Sequence, residues 1–277
     1  MQIIFSVSEL RKYLRSEVSI AFVPTMGNLH EGHLDLVRQA REHGNCIVVS
    51  IFVNPLQFGP SEDFDKYPRT LEADCEKLKG LADVVFAPSV NEMYPEKQAV
   101  FVEPPAIASE LDGASRPGHF RGMATVVIKL LNIVQPHVAV FGKKDYQQLQ
   151  IIRQMVTQLN LPMRIIGGET VRASDGLALS SRNQYLSMME RAEAVFLYQT
   201  LQGMQQAILQ GERDFERLQQ QAVEALTSRG WKVDYVVVRN QSNLLRASSG
   251  QNGLVVLTAA RLGNTRLIDN LEINLSD

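Results

Sequence analysis

Pro24 to His33 reads PTMGNLHEGH and sets two imidazoles, His30 and His33, three positions apart. On a helix that spacing puts both rings on one face. Gly27 permits a tight turn or close approach of the backbone to a ligand. An apolar run, Ile20 to Thr25, precedes the stretch, and a helical pattern follows it. Open parallel sheets bind ligands at the carboxyl ends of their strands. A helix start adds outward N–H groups and a dipole that favours an anion. Paired imidazoles there can hydrogen-bond phosphate oxygens and stabilise charge growing on a phosphoryl group. Zinc is the competing chemistry, but the spacing is not HExxH and no third ligand is evident. Ordinary surface histidines are the other alternative, and the strand-and-glycine context weighs against them.

Two further stretches carry similar chemistry. Phe141 to Leu149, FGKKDYQQL, again runs from strand to helix. Gly142 allows close backbone approach, and Lys143 and Lys144 offer point charges for phosphate. Asp145 either caps the helix or accepts from a ribose hydroxyl. Gln147 and Gln148 in the first turn can orient a polar substrate. A capped helix with surface lysines is the alternative. Leu177 to Asn183, LALSSRN, is a polar loop in which Ser180, Ser181 and Arg182 suit triphosphate oxygens. A plain linker is the alternative there, and a serine-hydrolase reading fails for lack of a GxSxG elbow.

These stretches need strands and helices to hold them. Strands are expected at Ile20–Thr25, Cys46–Val53, Asp83–Ala87, Val138–Phe141 and Met163–Ile166. Helices are expected at His33–His43, Thr70–Leu81, Ala124–Ile133 and Tyr146–Leu159. Their alternation predicts an α/β fold, a parallel sheet with helices on both faces. The second half differs. Stripes at Ala194, Leu197, Leu201, Met204 and Ile208, and at Phe215, Leu218, Ala222 and Ala225, predict two helices. Two strands follow, Trp231–Arg239 and Leu254–Ala260. The boundary falls in the polar stretch 174–186, dividing the chain into 1–176 and a smaller α+β part, 177–277. The helix ending at Val134 is apolar almost all round, as in a core helix, with subunit contact as the lesser reading.

Composition narrows the class. Of 277 residues, 28 are Lys or Arg and 30 are Asp or Glu, a formal net charge of −2. That balance gives no electrostatic reason to expect nucleic acid or an anionic membrane as partner. No apolar run approaches the roughly 18–20 residues that span a bilayer. The charged start lacks a signal-peptide core. Cys46 and Cys75 have no CxxC spacing and are expected to be reduced thiols, consistent with cytoplasmic residence.

The HEGH segment resembles the HxGH signature of the nucleotidyl-transferring α/β superfamily that includes class I aminoacyl-tRNA synthetases. The longer PTMGNLHEGH resembles the pantoate–β-alanine ligase family specifically, within a Rossmann-like fold. FGKKDYQQL is similar to that family's FGEKDxQQL, with Lys143 where Glu is usual. LALSSRN resembles its version of the mobile KMSKS-type loop. NPLQFGPSEDFDKYPRT (54–70) and RPGHFRGMATVV (116–127) complete five matches in family order.

The resemblance implies ATP-dependent joining of (R)-pantoate to β-alanine through a pantoyl adenylate, releasing AMP and pyrophosphate. His30 and His33 would contact ATP phosphates, and with Lys144 would be catalytic. Met26, Gly27, Gly142, Lys143, Lys144, Asp145, Val171, Leu179, Ser180, Ser181 and Arg182 would complete the ATP site. In it Lys144 would meet phosphate, Asp145 ribose, and Val171 adenine through its main chain. Gln57, Gln148 and Asn54 would bind pantoate, with Gln57 also near β-alanine. Mg²⁺ is expected on the phosphate oxygens with few protein ligands, Asp74 among the candidates. Residues 1–176 would bind ATP and pantoate, 177–277 would be a lid, and a homodimer is implied. A nucleotidylyltransferase with the same HxGH site is the nearest rival. A non-catalytic nucleotide sensor would need neither paired histidines nor a closing loop, and a tRNA synthetase would be longer and more basic.

Overall fold

The apolar runs of the first half form a six-stranded sheet in which every pair is parallel. The computed structural model describes residues 1–59, 64–248 and 250–275. Pro60 to Asp63 of the NPLQFGPSEDFDKYPRT match lie outside the described residues. In chain order the elements are β1 (Gln2–Ile4), α1 (Val7–Leu14), β2 (Ile20–Thr25), α2 (Glu31–Arg41), β3 (Cys46–Ile51), α3 (Leu71–Leu78) and β4 (Val84–Phe86). Then come α4 (Val90–Met93), α5 (Asp112–Ser115), α6 (His119–Val134), β5 (Val138–Gly142), α7 (Tyr146–Gln158) and β6 (Arg164–Gly168). The strand order is β1-β4-β3-β2-β5-β6. The chain therefore winds one way from β2 through β3 and β4, and the other way through β5 and β6. The switch point lies between β2 and β5, where a crevice opens at the strand ends.

Period-two burial explains the two helical layers. Phe22, Val48 and Phe86 face one side with Leu10, Leu14, Leu131 and Leu149, from α1, α6 and α7. Val23, Ile47, Val49 and Val85 face the other with Val37, Ala40 and Leu78, from α2 and α3. Helix α6 is buried nearly all round, as a core helix. Gly122 within it is obligatory: a Cβ there would lie 1.9 Å from the carbonyl oxygen of Leu56. That close approach seats the turn Pro55–Gln57 against α6.

The second half contains α8 (Met188–Glu193), α9 (Val195–Leu209), α10 (Phe215–Ser228), β7 (Lys232–Asn240), β8 (Gly253–Leu262) and β9 (Thr265–Asn274). The three strands make an antiparallel sheet, β7-β8-β9. One of its faces packs Val236, Val238, Leu254 and Val256 against α9 and α10. The other sends Val255 and Leu257 into the core of the first half. The second sheet is thus sandwiched between its own helices and the parallel-sheet layer.

Candidate active site

The loop after β2 is held by its neighbours rather than by itself. Gly27 and Asn28 have positive φ, 85° and 50°. The Asn28 and Leu29 amides both donate to the Asp74 carboxylate on α3, at 2.8 Å each. Thr70 Oγ1 donates to the same carboxylate, and Lys77 Nζ donates to the Leu29 carbonyl at 2.6 Å. Asp74 is fully buried. Its oxygens, expected among the candidates for a metal, are engaged in shaping the histidine loop. Lys77 was not expected from the sequence, because its partner is a backbone carbonyl far away in the chain.

His30 caps α2. Its Nδ1 accepts from the Gly32 amide, and His33 Nδ1 accepts from the His30 amide, both at 3.2 Å. A backbone N–H can only donate, so both Nδ1 atoms are unprotonated and each neutral ring carries its proton on Nε2. The ring centroids are 4.1 Å apart. Burial, then Lys144, pushes His30 down to about 4, and burial, then His30, pushes His33 down to about 3. The pair therefore offers two neutral Nε2–H donors at pH 7, with lysine and arginine as the cations.

Across the switch point, the turn Lys143–Asp145 leads from β5 into α7. Lys144 Nζ lies 3.8 Å from Asp145. The Asp145 side chain makes no cap bond to its helix, which leaves it for a ligand. Its enclosed position raises its affinity for a proton, but Lys144, Arg182, His33 and Arg116 outweigh this, and the carboxyl titrates below the usual range. It stays ionised on the cleft floor, reachable by solvent but ringed by cations. The cleft encloses about 710 Å³ and is lined by Lys144, Asp145, Gln148, Ser180 and Arg182, among others.

The loop 177–183 closes over the first motif. Ser181 Oγ donates to the Asn28 carbonyl at 3.0 Å. Ser180 caps the turn that carries Arg182. The Leu179 amide donates to the Val171 carbonyl, so these two form a short ladder with Val171 beside Gly32. Met26 meets Gln57, whose Nε2 donates to its sulfur at 3.1 Å.

Three other expectations change. Asn54 is buried and fully engaged: it donates to Gln57 Oε1 and the Gly122 carbonyl, and accepts from Tyr94 and the Leu56 amide. It holds the loop that presents Gln57 and is not itself open to substrate. Lys143, expected on phosphate, is paired instead with Glu169 and Glu272. Gln147 turns inward to the carbonyls of Ile107 and Glu110, leaving Gln148 on the cleft wall. The RPGH segment, for which the sequence offered no role, adds Arg116 and His119 to the cleft. His119 Nδ1 donates to the Gln57 carbonyl at 2.8 Å and its Nε2 accepts from Arg116.

A parallel sheet with imidazoles and lysine on opposite sides of its switch point, roofed by a serine–arginine loop, defines a Rossmann-like nucleotide-dependent enzyme. A sequence model described as pantoate-beta-alanine ligase matches residues 2–272. The chain is 58% identical to pantothenate synthetase of Methylobacillus flagellatus over 276 residues, covering 99% of each. It is 57% identical to the Nitrosomonas europaea protein of that name, covering 99% of this chain and 100% of the other. The fold is similar to pantothenate synthetase from Thermus thermophilus, with TM-score 0.94 and 45% identity over 99% of this chain and 100% of that one. It is also similar to pantoate-beta-alanine ligase from Francisella tularensis complexed with beta-gamma ATP and beta-alanine, with TM-score 0.80 and 36% identity, covering 98% and 97%. The chain belongs to the pantoate–β-alanine ligase family.

Proposed function

We propose that this site joins (R)-pantoate to β-alanine with ATP, in two steps. A pantoate carboxylate oxygen attacks the α-phosphorus in line, and the bond to the β-phosphate oxygen breaks as pyrophosphate leaves. The β-alanine amine then attacks the acyl carbon of the pantoyl adenylate, loses a proton, and expels AMP. A carboxylate alone does not acylate an amine at neutral pH, which is why the first step is needed.

The reading rests on one observation: His30 and His33 at the start of α2 and Lys144 and Asp145 at the start of α7 flank one switch point and influence each other's charge. Neutral Nε2–H donors and the Lys144 ammonium stabilise charge on the phosphoryl oxygens, where positioning and electrostatics do most of the work. No proton transfer from His33 is required. Asp145 receives the ribose, Val171 lies where adenine meets the main chain, and Ser180, Ser181 and Arg182 close on the phosphates. Gln57 and Gln148 hold pantoate.

Magnesium accompanies the triphosphate. Among the described residues no three His, Cys, Asp or Glu side chains cluster to hold a metal, and Asp74 is committed to backbone amides. Such an ion would take its ligands mainly from phosphate and water, and would supply charge neutralisation there. Residues 1–176 act as the ATP- and pantoate-binding domain and 177–277 as a lid. A second apolar cluster that begins at Leu177 and the Ser181 bond to Asn28 support that division. The enzyme works as a cytoplasmic homodimer. Two buried free thiols fit a reducing compartment, and among the described residues no helix is long and apolar enough to cross a membrane.

The test is pyrophosphate exchange into ATP with pantoate alone. Exchange without β-alanine, with AMP released only after β-alanine is added, is the expected result. Exchange that requires β-alanine would overturn the adenylate.

A further inference from the structure

The strand β9 reads TRLIDNLEIN, and its side chains sort by period two. Leu267, Leu271 and Ile273 face the core of the second half. Asn270 and Glu272, on the opposite face, reach the catalytic turn. Asn270 Nδ2 donates to the Lys143 carbonyl at 2.9 Å and to the Lys144 carbonyl at 3.0 Å. Both of its amide hydrogens are thereby spent on consecutive peptides of that turn. Glu272 accepts from Lys143 Nζ and from Tyr146 Oη, both at 2.7 Å. These bonds draw the first lysine out of the site and leave the second directed into the cleft.

Asn270 is itself held firmly. It is 5% exposed, and its backbone amide donates to Asp269 Oδ1 at 2.7 Å. Asp269 makes a two-pronged ion pair with Arg172, with distances of 2.6 and 2.8 Å. Arg172 also donates to the Asn270 carbonyl and stacks on Tyr198. A residue fixed on both sides can transmit position: a displacement of about 1 Å at a reacting group costs on the order of 10²-fold in rate.

We propose that Asn270 is a positioning residue for the adenylation step, locking the Lys143–Asp145 turn so that the Lys144 ammonium meets the phosphates. The second sheet thereby forms part of the adenylating site, beyond any role as a cover. The inference rests on the assignment of Lys144 to ATP phosphate.

The test uses the full chain with Asn270→Asp, which keeps the shape, removes both donors and sets a negative charge against two carbonyls. Pantoate-dependent pyrophosphate exchange is expected to fall about 10- to 100-fold, with a raised KM for ATP. Conversion of supplied pantoyl adenylate with β-alanine should fall much less, because the departing pyrophosphate, whose charge Lys144 is proposed to meet, is absent from that step. Gln205→Ala, which removes a different tie to β9 at the Glu272 carbonyl, should leave both steps unchanged. Asn270→Ser is the neutral second variant. Normal exchange in a folded variant overturns the proposal, as does an equal loss in both steps. If neither variant gives a cooperative melting transition, Asn270 is a folding residue and the proposal also fails. Lys144→Ala separates the two ideas. Unchanged exchange there removes the underlying assignment, whereas impaired exchange there with normal exchange in Asn270→Asp removes only this inference.

Discussion

Asp74→Asn tests how the histidine loop is built. The carboxylate is fully buried and accepts from two amides at 2.8 Å and one hydroxyl at 3.0 Å. The amide side chain keeps one acceptor oxygen. Its nitrogen then faces a backbone N–H, donor against donor. A hydrogen bond to a charged group contributes about 1.5–3 kcal/mol, and a buried donor left unpaired costs about 1–3 kcal/mol. One such bond lost and one weakened give a destabilisation of roughly 3 kcal/mol. For a chain of this size that lowers the melting temperature by roughly 6–12 °C. The assays are urea unfolding and thermal melting without nucleotide, followed by pantoate-dependent exchange at several magnesium concentrations. Exchange should fall at every concentration, with no shift in the magnesium midpoint, because His30 moves with Leu29. Unchanged stability with a raised magnesium midpoint would refute the reasoning and return Asp74 to the metal.

Four further outcomes are expected. His33→Ala should lower pantoate-dependent exchange by roughly 10²-fold through loss of a transition-state donor, read in the same exchange assay. The folded histidines titrate at about 4 and 3, below the ordinary 6.5, so the unfolded chain binds protons first as pH falls. Their share of stability is complete above about pH 6.5 and is lost progressively toward pH 3–4, so melting temperatures of the wild type should drop more steeply over that window than those of His30→Gln. Lys143→Glu should destabilise by setting three carboxylates together beside Glu169 and Glu272, and the double variant with Glu272→Lys should recover most of the melting temperature. Ser181→Ala removes the bond to the Asn28 carbonyl, and AMP released per pantothenate formed should rise above one as adenylate meets water.

The parts legible from sequence were those whose residue types have one physical use. The runs at Ile20–Thr25 and Cys46–Val53 read as strands because both faces are buried, the second ending at Ile51 in the structure, and the glycine turn between strand and helix pointed to the proposed anion site. Strand β1 was missed because three residues carry no period, and it stands at the sheet edge. Strand β9 was missed for a more informative reason. Its alternation mixes Leu and Ile with Asp, Asn and Glu, so it reads as a polar tail. Two of these polar side chains are buried all the same, Asn270 against the lysine turn and Asp269 against Arg172. Asp74, Asn54 and Lys143 carry groups that could hold a metal, a substrate or a phosphate. Their partners are backbone amides, carbonyls and acids far away in sequence, and no spacing rule reveals those.

The neutral state of the imidazole pair follows from the same economy. Two imidazolium rings 4.1 Å apart, next to Lys144 and at the positive end of a helix, would repel each other before any ligand arrived. Using each Nδ1 as an acceptor for a backbone amide removes that conflict and fixes both rings in the Nε2–H tautomer. The donors are then oriented before ATP binds, and little reorganisation remains for the transition state. Permanent charge is left to Lys144 and Arg182, with Asp145 between them to keep the cleft from carrying an unbalanced positive field. A triphosphate entering such a site meets positive charge from one wall and fixed dipoles from the other. The second sheet, through Asn270, keeps the charged wall in register with the dipolar one.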